Sequence, residues 1–288
     1  MAEPERLPRD NEIDVKGLTH PGKVRAINQD HFLIASLHKR LKIHSTSLPR
    51  PEKLRFRGER LAFMTLVADG VGGHQAGEEA SRLALETVAR YITQSMQCYY
   101  THNPEHDQEF LELLQETVME CHNTVAAEAQ SDPSLHGMAT TLTLVIGSWP
   151  WTYVVQVGDS RCYLLHDDEL VQLTRDQTVA QDLLDEGIIS DEEAETTAWA
   201  NVLSSAIGDG KATPVTTRTE MHWGDRLMLC SDGLTRHVSD ERIKELLEAS
   251  HTSKEACEAL VQEALDGGGE DNITVVVGRA DARSEPRD

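Results

Sequence analysis

No CxxC pair occurs among the five cysteines of this 288-residue chain, and no His/Cys set has the spacing of a zinc site. Cys162 and Cys230 lie inside apolar runs, so buried thiols in a reduced, cytoplasmic protein are expected rather than a disulfide framework. An apolar leader is missing too. Met1 to Asn11 carries charges and prolines, so a secretory signal is not expected. Internal repeats and low-complexity stretches are absent. One uncharged run, Gly137 to Gly158, is long enough to span a bilayer. However, Gly147-Ser148-Trp149-Pro150 breaks it, and Leu142, Leu144, Ile146 and then Tyr153, Val155, Val157 alternate on either side. That pattern is a buried hairpin, not a membrane helix. Positive charge is also scarce: 27 Lys and Arg stand against 49 Asp and Glu, for a net charge of -22. Wholesale nucleic-acid binding is thereby disfavoured.

The basic residues are unevenly spread. Between Leu37 and Arg60 there are eight of them against two acidic ones, so this segment is +6 and the remainder -28. Either it is a solvated loop, or it is an arm for a phosphorylated or acidic partner.

Read in order, residues 1–12 form a flexible tail, and Val15–His20 and Asp30–Leu37 resemble strands. Gly17 to Lys23 spells GxxxxGK, but Val24 follows where a phosphate loop needs Ser or Thr, and no helix pattern comes after it. Leu61–Ala68 is a strand. Glu78–Met96 and the stretch from Phe110 to Val125 each put their apolar residues on one helical face. The hairpin of 139–165 follows. Residues 173–208 have little apolar content and read as a surface flap, with Ser190 and Glu193 boxing a short helix over Asp191–Thr196. Strands over Ala212–Glu220 and Arg226–Ser231, two helices begun by Ser239 and Thr252, and a β-branched strand Ile273–Val277 close a body of residues 13–280. Residues 281–288 form a second flexible tail. Strands do not alternate singly with helices, which points to an antiparallel, layered α+β fold rather than a doubly wound parallel sheet.

Aspartates mark the places where apolar runs end. Asp69, Asp159, Asp232 and Asp271 each sit where such a run meets Gly, Ser or Asn, and Asp30 likewise ends or interrupts an apolar run. Carboxylates so placed would be partly desolvated, and together they would repel unless cations neutralised them. An oxygen-only donor set favours Mg²⁺ or Mn²⁺ over zinc. Two hard cations can activate water and stabilise displacement at phosphorus. Arg25 is the candidate for the phosphate's own oxygens, because a guanidinium fork matches them.

Seven ordered signatures carry a family resemblance: Arg25 to Asp30, Asp69 to His74, Met138 to Thr141, Val157 to Arg161, Leu173 to Asp176, Cys230 to Leu234, and Asp271 to Thr274. In these the chain resembles the metal-dependent protein phosphatases of the 2C type (PPM family), bacterial branch, over about residues 14 to 279. The resemblance implies a four-layer αββα sandwich, two antiparallel sheets flanked by helix pairs. It implies a serine/threonine protein phosphatase that hydrolyses phosphoserine and phosphothreonine through a metal-activated water, without a phosphoenzyme. By position, Asp69 would bridge two Mn²⁺ or Mg²⁺ ions, with the Gly70 carbonyl on one and Asp232 and Asp271 on the other. Asp159, with a share from Asp232, would hold a third, weaker ion. Arg25 would bind substrate phosphate, Asp30 would position the water, and Asn272 would support the site. The implied partners are phosphoproteins and a cognate bacterial Ser/Thr kinase, with no nucleic acid or membrane involved and the chain acting as a monomer.

Three departures stand out. Val71 occupies the place of a histidine found in eukaryotic members, so leaving-group protonation would fall to metal-bound water; His74 reads as a turn or packing residue. Thr196 to Ala200 replaces a usual His-Pro pair in the flap and offers Trp199 as a substrate contact. Ser205-Ala206-Ile207-Gly208 replaces Arg-Ala-Leu-Gly, and residues 37–60 look inserted. Two other classes fit these residues less well. A pseudophosphatase would have lost a metal carboxylate, and all are present. A two-metal nuclease would need a basic face, which is lacking outside one segment.

Overall fold

The structure, a computed structural model, describes residues 6–38, 60–72, 75–95 and 107–281. Period-two alternation in the strands separates its layers. In β3 (Arg60–Ala68), Met64, Leu66 and Ala68 face one apolar cluster while Val67 faces another. In β12 (Ile273–Ala280), Ile273, Val275 and Val277 face a third cluster and Val276 turns back towards the cluster holding Val67.

Two five-stranded sheets result. One runs in the order β1 (Ile13–His20), β12, β11 (Arg226–Cys230), β8 (Arg161–His166) and β9 (Glu169–Gln172). The other runs β10 (Val215–Glu220), β7 (Trp151–Val157), β6 (Leu142–Ser148), β3 and β2 (His31–His38). Every neighbouring pair in them is antiparallel. A small ribbon pairs β4 (Gly70–Val71) with β5 (Ala139–Thr140).

Val67, Val145, Val154, Cys162, Leu164, Leu227, Leu229 and Val276 fill the space between the sheets. Helices α1 (Gln75–Ser95) and α2 (Asp107–Ser131) cover the outer face of the second sheet through Ala80, Ala84, Val88, Leu114, Val118 and Val125. On the first sheet lie the short α5 (Asp232–Thr235), α6 (Asp240–Ala249) and α7 (Ser253–Asp266), which bury Leu234, Ile243, Leu247, Leu260 and Ala264. This is the expected αββα order of an α+β protein. Truncating a fully buried residue such as Leu66 to Ala would cost about 2–5 kcal/mol.

Several details differ from the sequence reading. The first helix begins at Gln75, earlier than the apolar stripe indicates. The flap holds an unforeseen helix, α3 (Val179–Asp185), capped by the Thr178 hydroxyl, beside the foreseen α4 (Asp191–Thr196) with its Ser190–Glu193 box. Of α3, only Ala180 is buried, so it leaves little apolar period to read. Residues 6–12, placed in the N-terminal tail, contact the body: Arg6 lies over the Trp223 ring at 5.1 Å and the Glu12 carbonyl accepts the Asp281 N–H at 2.9 Å, while Arg6 forks onto buried Glu12 with two bonds of 2.6 Å. The GxxxxGK stretch runs along β1 into a turn with no helix after it. Cys121, Cys162, Cys230 and Cys257 are buried free thiols, as the composition suggests. No helix among the described residues is long and apolar enough to cross a membrane. Residues 39–59 of the basic segment, His74 and Cys98 lie outside the described residues.

Candidate active site

Five strand ends place the five aspartates at one end of the sandwich. Asp69 follows β3, Asp159 follows β7, Asp232 follows β11 by one serine, and Asp30 and Asp271 precede β2 and β12. The backbone holds these turns close together. A Cβ on Gly233 would collide with the Asn272 carbonyl, and one on Gly70 with the Gly77 carbonyl, so only glycine permits the approach of α5 to the Asp271 turn and of the Asp69 turn to α1.

Polar side chains then fix each turn. Thr141 accepts the Asp69 N–H at 3.0 Å, Thr140 donates to the Asp69 carbonyl at 2.8 Å, and Thr141 meets the Ser160 hydroxyl at 2.7 Å. The Met138–Thr141 signature is thus a clamp on Asp69 and on the neighbouring Gly-Asp-Ser turn. Gln177 accepts the Gly158 N–H at 2.8 Å, and Arg161 grips Asp176 with Nε and Nη, tying the base of the flap to β8. Asn272 is fully engaged: it accepts the Gln29 N–H at 2.8 Å and donates to the Pro21 and Ile27 carbonyls, each at 3.0 Å. It therefore joins the loop carrying Arg25 to the Asp271 turn. Ser231 donates to Asp30 Oδ2 at 2.8 Å and accepts the Thr274 N–H at 2.9 Å.

Arg25, Asp69, Gly70, Asp159, Asp232 and Asp271 line a cleft of about 540 Å³, and Asp30 and Asn272 are buried beneath it. Its other wall is the end of the flap, Asn201 to Ala206, with Asp209 to Lys211 just beyond it. Exposed Trp199 does not line the cleft, whereas exposed Val71, on the Asp69 side, does.

Burial and mutual repulsion dominate the electrostatics. Desolvation, followed by the negative charges of Asp30, Asp232, Asp159 and Asp271, holds the Asp69 pKa well above the ordinary carboxylate range. Burial also pushes Asp30 up to about 7 and Asp159 to about 8, with Asp232 adding repulsion to both, and raises Asp232 itself. Two oxygens, Asp30 Oδ1 and Asp232 Oδ1, are buried without a hydrogen-bond partner. Such orphans are rare in folded proteins and mark a place for an electron-pair acceptor.

Two arginines meet the carboxylates from the solvent side. Arg25 donates to Asp271 Oδ2 at 2.8 Å. Arg236 reaches both Asp232 Oδ2 and Asp271 Oδ2. Burial works against the Arg236 charge, but Asp232, Asp271, Asp159 and Asp69 outweigh it and raise its pKa. Sequence reading missed Arg236. Its signal was its position four residues after Asp232 in a helix, where an acid and a base face each other.

Comparison with known proteins agrees with this geometry. The family model for protein phosphatase 2C matches residues 46–267. The chain is 39% identical over 216 residues to the serine/threonine protein phosphatase PstP of Mycobacterium tuberculosis, covering 75% of this chain and 40% of that protein. It is 34% identical over 234 residues to the serine/threonine phosphatase stp of Listeria innocua, covering 78% and 87%. A crystal structure of the PstP catalytic domain with two manganese ions superposes with a TM-score of 0.71 at 34% identity, over 94% of this chain and 99% of that one. The chain belongs to the protein phosphatase 2C family. It spans about 40% of the length of the mycobacterial relative.

Proposed function

We propose that this chain is a metal-dependent protein phosphatase that hydrolyses phosphoserine and phosphothreonine in proteins. One observation carries the reading: five aspartates are packed at one sheet end with raised pKa values and two orphan oxygens, and two guanidinium groups stand in as their cations. An all-oxygen donor set of this kind fits Mn²⁺ or Mg²⁺. Asp69, the Gly70 carbonyl, Asp232 and Asp271 would hold two ions, and Asp159 with Asp232 a third, weaker one. When bound, such ions lower the pKa of water and neutralise charge on a phosphoryl group.

The chain's own residues supply the rest. Arg25, half exposed at the mouth of the cleft, would fork onto the phosphoryl oxygens and orient phosphorus towards the carboxylates. Arg236 stands beside it and would share that charge. Asp30 Oδ1, free of protein partners, would hold the attacking water, while Ser231 fixes Oδ2. The water oxygen forms the new bond to phosphorus and gives up a proton as the bond to the Ser or Thr oxygen breaks, and the departing alkoxide takes up a proton from water, so that alcohol and phosphate are the products. Asn272 keeps Arg25 and Asp271 in register. The negative body of the protein counts against nucleic acid as substrate. Buried free thiols support a reduced compartment such as the cytoplasm. Phosphoproteins made by a bacterial Ser/Thr kinase are the partners that this chemistry serves.

The test is phosphate release from a phosphothreonine protein and from para-nitrophenyl phosphate, in Mn²⁺, Mg²⁺ or EDTA, beside Asp69→Asn and Asp232→Asn. Turnover of both substrates that needs metal and disappears in both variants is the expected result. A folded, metal-loaded chain with no turnover would instead be a binding module.

A further inference from the structure

A second set of metal donors lies at the opposite end of the sandwich from the cleft. β8 leaves the Asp159 turn and carries the chain roughly 17 Å before ending at His166. There the β8–β9 turn meets the turn between β10 and β11, which holds His222 and Asp225. One ring nitrogen from each histidine and one Asp225 oxygen lie within 4.8 Å of one another. The two rings lie 4.8 Å apart, centre to centre.

Three features distinguish this cluster from an ordinary surface group. Asp225 is 4% exposed, an uncommon place for a carboxylate in a turn. Its Oδ1 meets His166 Nδ1 at 2.7 Å, and its Oδ2 accepts the backbone N–H of His222 at 2.7 Å. His222 Nδ1 is shut off from solvent without a hydrogen-bond partner, 3.6 Å from Asp225 Oδ2. A buried imidazole nitrogen facing a carboxylate with nothing between them is an unfilled donor position.

We propose that His166, His222 and Asp225 form a second metal site, for a divalent transition ion of zinc's kind. Two imidazoles and one carboxylate suit zinc, cobalt or nickel and suit the hard ions of the cleft poorly. Donors around a tetrahedral zinc ion stand about 3.3 Å apart, so the cluster needs only small side-chain rotations to close on one. The ion takes the place of the proton shared by His166 Nδ1 and Asp225 Oδ1 and gives His222 Nδ1 its partner. Exposed Asp167, whose Oδ2 lies 3.5 Å from His166 Nε2, borders the open side. Bound there, the ion pins the β8–β9 turn to the β10–β11 turn. The cleft is untouched.

The full chain, held in millimolar Mg²⁺ to occupy the cleft, is titrated with Co²⁺ as a visible probe and then with Zn²⁺. The expected result is a strong d–d band that saturates at one equivalent and is displaced by Zn²⁺. Affinity should fall at least about tenfold in both His166→Ala and His222→Gln. Both rings are more than 40% exposed, so these variants should fold; an unchanged Mg²⁺-dependent melting transition checks that they do. Absence of the band, or a band retained in both folded variants, would overturn the site. Neither result bears on the phosphatase reading.

Discussion

Glu12 and Asp30, at opposite ends of the sandwich, are buried carboxylates treated in opposite ways. At the end away from the cleft, Glu12 is 5% exposed and matched on both oxygens: Arg6 forks onto it and the Arg9 N–H donates to it at 2.8 Å. Those bonds, Arg6 first, hold its pKa down at about 2. At the cleft, Asp30 is 3% exposed, one of its oxygens has no partner, and its pKa rises to about 7. The shifts are opposite because the hydrogen bonds of Arg6 and Arg9 outweigh desolvation at Glu12, whereas desolvation outweighs the Ser231 hydrogen bond at Asp30. At Glu12 the protein satisfies both oxygens, whereas at Asp30 it leaves one for something from outside.

The largest expected effect is on turnover. Asp69→Asn or Asp232→Asn should each lower metal-dependent phosphate release by more than about 100-fold, beyond the loss seen when only an outer support of a metal site is changed. Steady-state assays at saturating Mn²⁺ check this, and activity within a few-fold of wild type would show that the Asp69 and Asp232 carboxylates are not needed for turnover.

Metal removal comes next. At one hundred times its dissociation constant, a bound ion adds about 2.7 kcal/mol, or roughly 5–10 °C in melting temperature for a chain of this size. The pH dependence should then separate the two ends. Without metal, Asp30 and Asp159 hold protons up to about 7 and 8, while the unfolded chain releases them near 3.8. Their contribution is present below about pH 4 and is lost as pH rises towards 8. Glu12 runs the other way, from about 2 folded to 4.5 unfolded, so its contribution is present above 4.5 and lost as pH falls towards 2. In EDTA the melting temperature should fall between pH 5 and 8, and saturating Mn²⁺ should abolish that fall. A flat EDTA profile would contradict the account.

Two smaller effects sharpen the contrast. Arg236→Ala removes the cation that now meets Asp232 and Asp271. Metal-free protein at pH 8 should then melt several degrees lower and gain more from Mn²⁺ than wild type, as calorimetry in both states would record. Arg6→Ala should cost a few degrees at pH 7, less at pH 3, and nothing in turnover.

Much of this was legible in the sequence because the site is built from strand ends. An apolar run that meets Asp beside Gly, Ser or Asn announces both the strand and the buried carboxylate, so Asp69, Asp159, Asp232 and Asp271 could be read from the sequence, and the order of strands and helices disfavoured a doubly wound parallel sheet. Other features depend on tertiary contacts that no local pattern carries. The hold of Arg236 on Asp271 spans 35 residues, and that of Asn272 on the Pro21 carbonyl spans 251. Helix α3 has a cap but almost no buried face. His166 and His222 are unremarkable residues in two separate turns until β8 and β11 pair and bring them together.

The most direct measurement is the number of Mn²⁺ ions bound per chain at pH 8, by calorimetry with elemental analysis, for wild type, Asp69→Asn and His166→Ala. The account predicts at least two ions in wild type, their loss in Asp69→Asn, and an unchanged count in His166→Ala. One ion or none in folded wild type, or a full complement in Asp69→Asn, would contradict it.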